Sequence, residues 1–299
     1  MNSFVAAISI INIDILYSGL PRIPNLGEEV YADEFDLQLG GGAAASLITL
    51  ARFGVDSRLG TFIADDFLST YARNILETNH INLMNLYKGE KIPVAVTSIA
   101  SFPQDRYFIS YFPDKNKLKA SDEEVYALCS GARVCIGVDG HSDVFARLRK
   151  EGTIVAYDVG WSDDLNIENM KDILKNVDVF TPNEKEALKM TGKSTPEEAL
   201  EVLSRYVDYA IIKIGKKGCI TKRGGKTVHV PGLEIFEPVD TTGAGDAFLG
   251  GVMFGLYEGW DIEKCMKMGN ITGGFSTTRL GCFKAYLTLE KAMDYMEMY

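Results

Sequence analysis

Residues 240–251 read Asp-Thr-Thr-Gly-Ala-Gly-Asp-Ala-Phe-Leu-Gly-Gly, and their types and spacing fit one chemistry. Gly243, Ala244 and Gly245 leave a bare backbone. The apolar run that follows, through Ala247, Phe248, Leu249, Val252 and Phe254, is compatible with a helix. Main-chain N–H groups entering a helix lack partners and sit at the positive end of its dipole, so they make an anion site. Asp246 stands in that same turn. A carboxylate beside a bound anion is electrostatically awkward unless it handles a proton. The pairing points to phosphoryl transfer, in which the amides hold the migrating charge and Asp246 accepts the proton of an alcohol. A plain glycine turn, with an acid that only complements the helix dipole, has the same letters.

Other residues carry weaker signals of the same kind. Gly40-Gly41-Gly42 opens a helix and allows a ligand to lie against backbone, or simply allows tight packing. Asp14 closes an apolar run that reads as the first strand. There it is either a turn residue or an acceptor for ligand hydroxyls at the C-terminal end of an α/β sheet. Asn183 and Glu186 have the spacing of a capping box. In Lys213-Ile214-Gly215-Lys216-Lys217-Gly218, Gly215 lets the chain turn under a nucleotide and Lys216 reaches phosphate; an ordinary glycine turn is the alternative. Arg106 falls at a hairpin tip, facing substrate, a partner subunit or solvent. Asp139 follows the strand 134–138, where it lines an acceptor pocket, and Asp158 ends the next strand.

The string 240–251 closely resembles the C-terminal signature of the ribokinase-like (PfkB) family of carbohydrate and nucleoside kinases. Further motifs follow in the family's order from Asp14 to about Gly281. The resemblance implies an α/β fold: a ribokinase-like three-layer sandwich with a central, mostly parallel sheet and a small β-sheet lid. It implies that Asp246 is the catalytic base, that the amides at Gly243, Ala244 and Gly245 form the anion hole, and that Asp14, Gly41 and Gly42 hold the acceptor. Ser46 occupies an acceptor-binding position where the family usually has Asn, which leaves the acceptor open. Asn183 and Glu186 match an Asn-x-x-Glu motif that organises a magnesium–water–phosphate network; the capping box and this role are compatible. Lys213, Gly215, Lys216 and Gly218 match a loop bordering ATP, and Asn270 an asparagine near adenine. Asp240 and Thr242 match positions that offer oxygens to a monovalent cation such as K⁺ in some relatives. The implied activity transfers the γ-phosphoryl group of ATP–Mg²⁺ to a primary hydroxyl of a sugar of furanose or ketose type, with a nucleoside as the second choice of acceptor.

These residues need a scaffold, and the patterning supplies one. Val5–Ile13 is an apolar run that reads as one buried strand. From residue 134 onward, strands at 134–138, 154–158, 179–180 and 209–214 alternate with helices at 143–150, 167–175, 184–191 and 196–206. That alternation means right-handed crossovers and a parallel sheet covered on both faces. Hairpin patterns at 28–39, 94–112 and 219–230 stand apart from it, and helices are expected at 43–53, 67–76, 246–257, 262–278 and 289–298. Residues 1–299 thus read as one α/β domain, with a lid from about 14–39 and 92–113. An apolar lid face of Val30, Phe35, Leu37, Val94, Val96, Phe108 and Tyr111 predicts a homodimer through the lids.

Composition narrows the functions. The chain has 299 residues and a net charge of −10, which disfavours polyanions, so no nucleic-acid partner is expected. No apolar stretch reaches the ~18 residues of a membrane span. Five scattered cysteines, with no C-x-x-C pair and no signal-peptide pattern, indicate reduced thiols and a cytoplasmic protein. Gly225-Lys226-Thr227 lacks the upstream glycine of a P-loop, since Ile220 stands there. Gly140-His141-Ser142-Asp143-Val144 suggests the nucleophile elbow of a serine hydrolase, but Val144 replaces its second glycine. A non-catalytic sugar-binding protein is the remaining alternative; an intact Asp246 argues against it.

Overall fold

The apolar run Val5–Ile13 is cut in two in the computed structural model, which describes residues 3–102, 106–114 and 117–299. β1 (Phe4–Ile8) enters the main sheet, whereas β2 (Asn12–Ser18) enters a different one. Hydrophobicity runs on across the break, so it carries no signal of the change of sheet. Asp14 therefore lies inside β2 and not at the end of the first strand.

The main sheet is built from β4 (Asp56–Thr61), β5 (Ile81–Asn85), β8 (Val134–Ile136), β9 (Ile154–Tyr157), β10 (Val179–Phe180) and β11 (Tyr209–Ala210) around β1. Its order is β11-β10-β9-β8-β1-β4-β5, and every pair is parallel. Alternate residues of β1 enter opposite cores: Phe4, Ala6 and Ile8 on one face, Val5 and Ala7 on the other. The strand is buried on both sides, which is why it reads as a continuous apolar run.

Helices cover both faces. In chain order they are α1 (Ala43–Arg52), α2 (Phe67–Thr78), α3 (Asp122–Cys129), α4 (Ser142–Lys150), α5 (Ile167–Leu174), α6 (Glu184–Thr191), α7 (Pro196–Leu203), α8 (Ala244–Glu258), α9 (Ile262–Ser276) and α10 (Leu289–Met296). β5 and α3 are not evident from the sequence. β5 is half polar (Ile-Asn-Leu-Met-Asn), and α3 is a short acidic helix set by a Ser121–Glu124 capping box. The expected strand 209–214 breaks at Ile211: β12 (Ile212–Lys213) leaves the main sheet and pairs antiparallel with β13 (Cys219–Arg223), which pairs with β14 (Lys226–Val230). Lys213 thus belongs to this three-stranded sheet and not to the last parallel strand.

The second small sheet has the order β3-β2-β6-β7, with β3 (Glu34–Leu39), β6 (Ala95–Ser101) and β7 (Arg106–Tyr111). The hairpin pattern at 28–39 yields a strand only from Glu34. Asp14 pairs in register with Gln38 on one side and Thr97 on the other, and Asp14 and Gln38 are both buried. The opposite face presents Tyr17, Phe35, Tyr107, Ile109 and Tyr111 outward, with Ile109 75% exposed. Two of the residues assigned to that face do not belong to it. Val94 is fully buried, and the register puts Phe108 with the Asp14 side. No helix among the described residues is long and apolar enough to cross a membrane.

Candidate active site

Two helix N-termini meet at Asp246. Gly243, with φ 74°, forms the N-cap of α8, and no side chain caps that end. A left-handed backbone there suits glycine alone, and a Cβ would also press on Cys282. Asp246 lies in the first turn. Its Oδ2 accepts the main-chain N–H of Gly42, the N-cap of α1, at 2.8 Å. The carboxylate so completes the bare N-terminus of a second helix, whose dipole favours its charge. Burial acts the other way and is the larger effect. It raises the Asp246 carboxyl from 3.8 to about 6; the Gly42 bond opposes this, Asp158 adds to it, and Lys213 opposes it.

Gly41 is a glycine for a steric reason: a Cβ there would run into Asp246 Oδ2. Ser46 departs from its expected role. It is fully buried and its hydroxyl donates to the main-chain carbonyl of Asp246 at 2.8 Å. It faces α8 and locks the two helices together.

Asp14 approaches from the small sheet. Asn12 Nδ2 donates to its Oδ1 at 2.6 Å, and burial lifts its carboxyl to about 6, with the Asn12 bond opposing and Asp240 adding. Asn12 and Asp14 share one face of β2, a period-2 relationship that the sequence displays but that means nothing until β2 is recognised as a strand. Asp240 is buried and braces two loops: Oδ1 accepts from Thr242 N and Oγ1, and Oδ2 from Gly281 N at 2.9 Å. Cys282, beyond Gly281, lies between Gly243 and Gly41 and in the field of Asp246, Asp14 and Asp240. Neither Asn12 nor Cys282 has a sequence pattern that marks it.

On the other side of α8, a cavity of about 610 Å³ is bordered by Ala244, Gly245, Lys213, Gly215, Asn183 and Phe248. Lys216, Gly218 and Asn270 also border it. Gly215 and Gly218 have φ of 64° and 95°, and Gly218 lets its turn abut the chain at Val230–Gly232. The Asn270 amide does not point free into the cavity. It donates to the carbonyls of Val230 (3.1 Å) and Pro231 (3.0 Å) and so fixes the cavity wall. The Ala244 N–H is likewise turned back onto Thr241 O at 3.2 Å.

Asn183 and Glu186 form the capping box in full, Asn183 Oδ1 taking the Glu186 N–H and Glu186 Oε2 taking the Asn183 N–H. Burial raises the Glu186 carboxyl, with Asn183 N–H opposing, and Asp158 and Lys213 lie within its electrostatic reach. Lys213 pairs directly with Asp158, and its charge also favours the ionised forms of Glu186 and Asp246. Glu186, with one carboxylate oxygen on the Asn183 N–H, offers the hard oxygen donors that suit Mg²⁺ held through water. No group of three or more His, Cys, Asp or Glu side chains among the described residues makes a direct metal cage.

Asp139 is exposed, accepts the Tyr157 hydroxyl at 2.7 Å, and lines a second cavity of about 920 Å³ together with Asp158. Arg106 opens β7; its side chain lies outside the described residues. The hydrolase alternative fails here. Ser142 donates its proton to the carbonyl of Asp172, and His141 is paired with Asp122, not with Ser142.

A parallel seven-stranded sheet with helices on both faces and a small sheet beside its C-terminal ends is the ribokinase fold. The solved ribokinase of Thermotoga maritima superposes with a TM-score of 0.82 at 24% identity, over 99% of each chain. The ribokinase of Arabidopsis thaliana, solved with ribose and ATP, gives 0.81 at 20% identity over 99% of each. An ATP-dependent 6-phosphofructokinase of Thermoanaerobacterium thermosaccharolyticum is 26% identical over 277 residues, 85% of this chain and 84% of the other. The model of the pfkB family of carbohydrate kinases matches residues 2–288, and the chain belongs to that family. It is a phosphotransferase with an alcohol acceptor, a sugar or nucleoside kinase.

Proposed function

We propose that the protein transfers the γ-phosphoryl group of ATP to a primary hydroxyl of a sugar of furanose or ketose type. The observation that carries this reading is the convergence of the α1 and α8 N-termini on Asp246, beside a nucleotide-sized cavity. Asp14 and the Gly41–Gly42 backbone hold the acceptor. Asp246, poised near 6, takes the hydroxyl proton as the oxygen attacks. The first-turn amides of α8 stabilise the charge on the moving group. Asn183 and Glu186 would hold Mg²⁺ through water, and the ion would supply neutralisation of the phosphate charge. Lys216 and the Gly215–Gly218 turn border the nucleotide. The small sheet acts as a lid that keeps out water, the competing acceptor. Its outward face, rich in Phe35, Tyr107, Ile109 and Tyr111, is covered by a second copy in a homodimer. Five buried free cysteines and an ATP-consuming reaction suit the reducing cytoplasm.

The test is an ADP-release screen over neutral sugars, sugar acids, polyols and nucleosides, run beside Asp246→Asn. The variant is expected to lose at least ~10²-fold in kcat, the usual size of a general-base contribution. Turnover that survives this change removes Asp246 from the reaction. Activity on nucleosides alone shifts the acceptor to that class.

A further inference from the structure

We infer that Lys213 is a catalytic residue whose ammonium binds the phosphoryl group in flight, and that Asp158 is the residue that positions it. The inference rests on the kinase reading above.

Lys213 Nζ lies 2.7 Å from Asp158 Oδ2, and both side chains are largely shielded from water. A Cβ placed on Gly245 would sit 3.0 Å from that Nζ and 4.0 Å from Asp158 Oδ2. The ammonium is therefore beside the first turn of α8, at the border of the nucleotide cavity. Its backbone is anchored independently: Lys213 N–H donates to Pro182 O at 2.9 Å, and Lys213 bridges to Asn183, the head of α6. One strand end thus brings the lysine to the anion hole and to the Asn183–Glu186 corner together. Lys213 also stabilises the charged forms of Asp158, Glu186 and Asp246.

A shielded ion pair adds little to folding, because desolvation offsets the attraction; apolar side chains of similar size serve as well. Its place at the mouth of a bare helix N-terminus gives it another purpose. In the reaction, a bond forms between the acceptor oxygen and the γ-phosphorus, and the bond from phosphorus to the β–γ bridging oxygen breaks. The electron pair leaves on ADP, the acceptor proton goes to Asp246, and Lys213 keeps its own proton throughout. A fixed cation beside the equatorial oxygens is held by Asp158 before substrate arrives, so it needs no reorganisation at the moment of transfer.

Lys213→Met is compared with the wild type in kinetics and in calorimetric binding of ADP, with and without aluminium fluoride, in the presence of an acceptor. Loss of kcat on the order of 10²–10³-fold is expected, the size of one lost donor to a developing charge. KM for the acceptor should stay within about 3-fold, as for an interaction made only in the transition state. The ADP–aluminium fluoride complex should weaken on the order of 10²-fold while ADP alone changes little. Lys213→Arg, which keeps the charge, should recover part of kcat. Asp158→Asn should cost less than Lys213→Met, and the double variant should be no slower than Lys213→Met alone. Equal weakening of ADP with and without the fluoride, or unchanged kcat, overturns the catalytic role of Lys213. Additive losses in the double variant overturn the positioning role of Asp158. A wild type that binds no ADP sinks the kinase reading itself, and this inference with it.

Discussion

The N–H of Gly42 and the Oδ2 of Asp246 are 2.8 Å apart, although 204 positions separate them in the chain. This one bond fixes the carboxylate against the mouth of α1 while α8 carries it. Together with the Ser46 hydroxyl on the Asp246 carbonyl, it makes the α1–α8 contact the frame of the site.

Gly41→Ala tests that frame. The added methyl meets Asp246 Oδ2, and the carboxylate has to move. Because small displacements of a reacting group are costly, kcat is expected to fall by roughly 10–10²-fold. Circular dichroism and Tm should change little, since Gly41 has no left-handed φ. Steady-state kinetics with wild-type turnover in this variant would place the base elsewhere.

The titration of the site gives a second check. Burial holds the Asp246 and Asp14 carboxyls near 6. Activity, read as kcat/KM, should decline below about pH 6 as the base protonates. Stability runs in the opposite sense. Between 3.8 and about 6 the folded protein binds these protons more tightly than the unfolded chain, so their contribution to stability falls as pH rises through that window. Asp246→Asn should then melt about 2–4 °C above the wild type at pH 7.5, the size of ~1 kcal/mol in a chain of this length. The gap should narrow as the pH falls below about 6 and close only towards 3.8. Differential scanning calorimetry at several pH values reads it directly.

Ser46→Ala separates a helix tie from an acceptor contact. It removes a buried bond to a main-chain carbonyl, and a stability loss of about 1 kcal/mol is expected. The acceptor KM should stay within about 2-fold, as for a residue that makes no contact with the acceptor. A large rise in KM with unchanged Tm contradicts the placement seen here.

Ile109→Lys addresses the outward face of the small sheet. Ile109 is 75% exposed in the single chain and sits in a row with Tyr107 and Tyr111. A buried, unpaired lysine is not tolerated at the centre of an interface. Light scattering after size exclusion should show a dimer for the wild type and a monomer for the variant. A wild-type monomer at micromolar concentration removes the dimer.

What the sequence determined by itself was local. The bare turn Gly243–Gly245 with Asp246, the Asn183–Glu186 cap, the glycine turn at 215–218 and the strand–helix alternation are all written in residues within a few positions of one another. Such features depend on backbone geometry and hydrogen bonds inside one turn, so type and spacing suffice. Tertiary structure alone decided the rest. It broke the run Val5–Ile13 between two sheets, because hydrophobicity reports burial and not which sheet does the burying. It turned Ser46 towards α8 and engaged Asn270 with Val230 and Pro231. It also brought Lys213 onto Asp158 from 55 positions away and Cys282 against Gly243. Those pairs exist only because the fold packs helices, loops and strand ends that are far apart in sequence against one another, a juxtaposition that no short stretch of chain encodes.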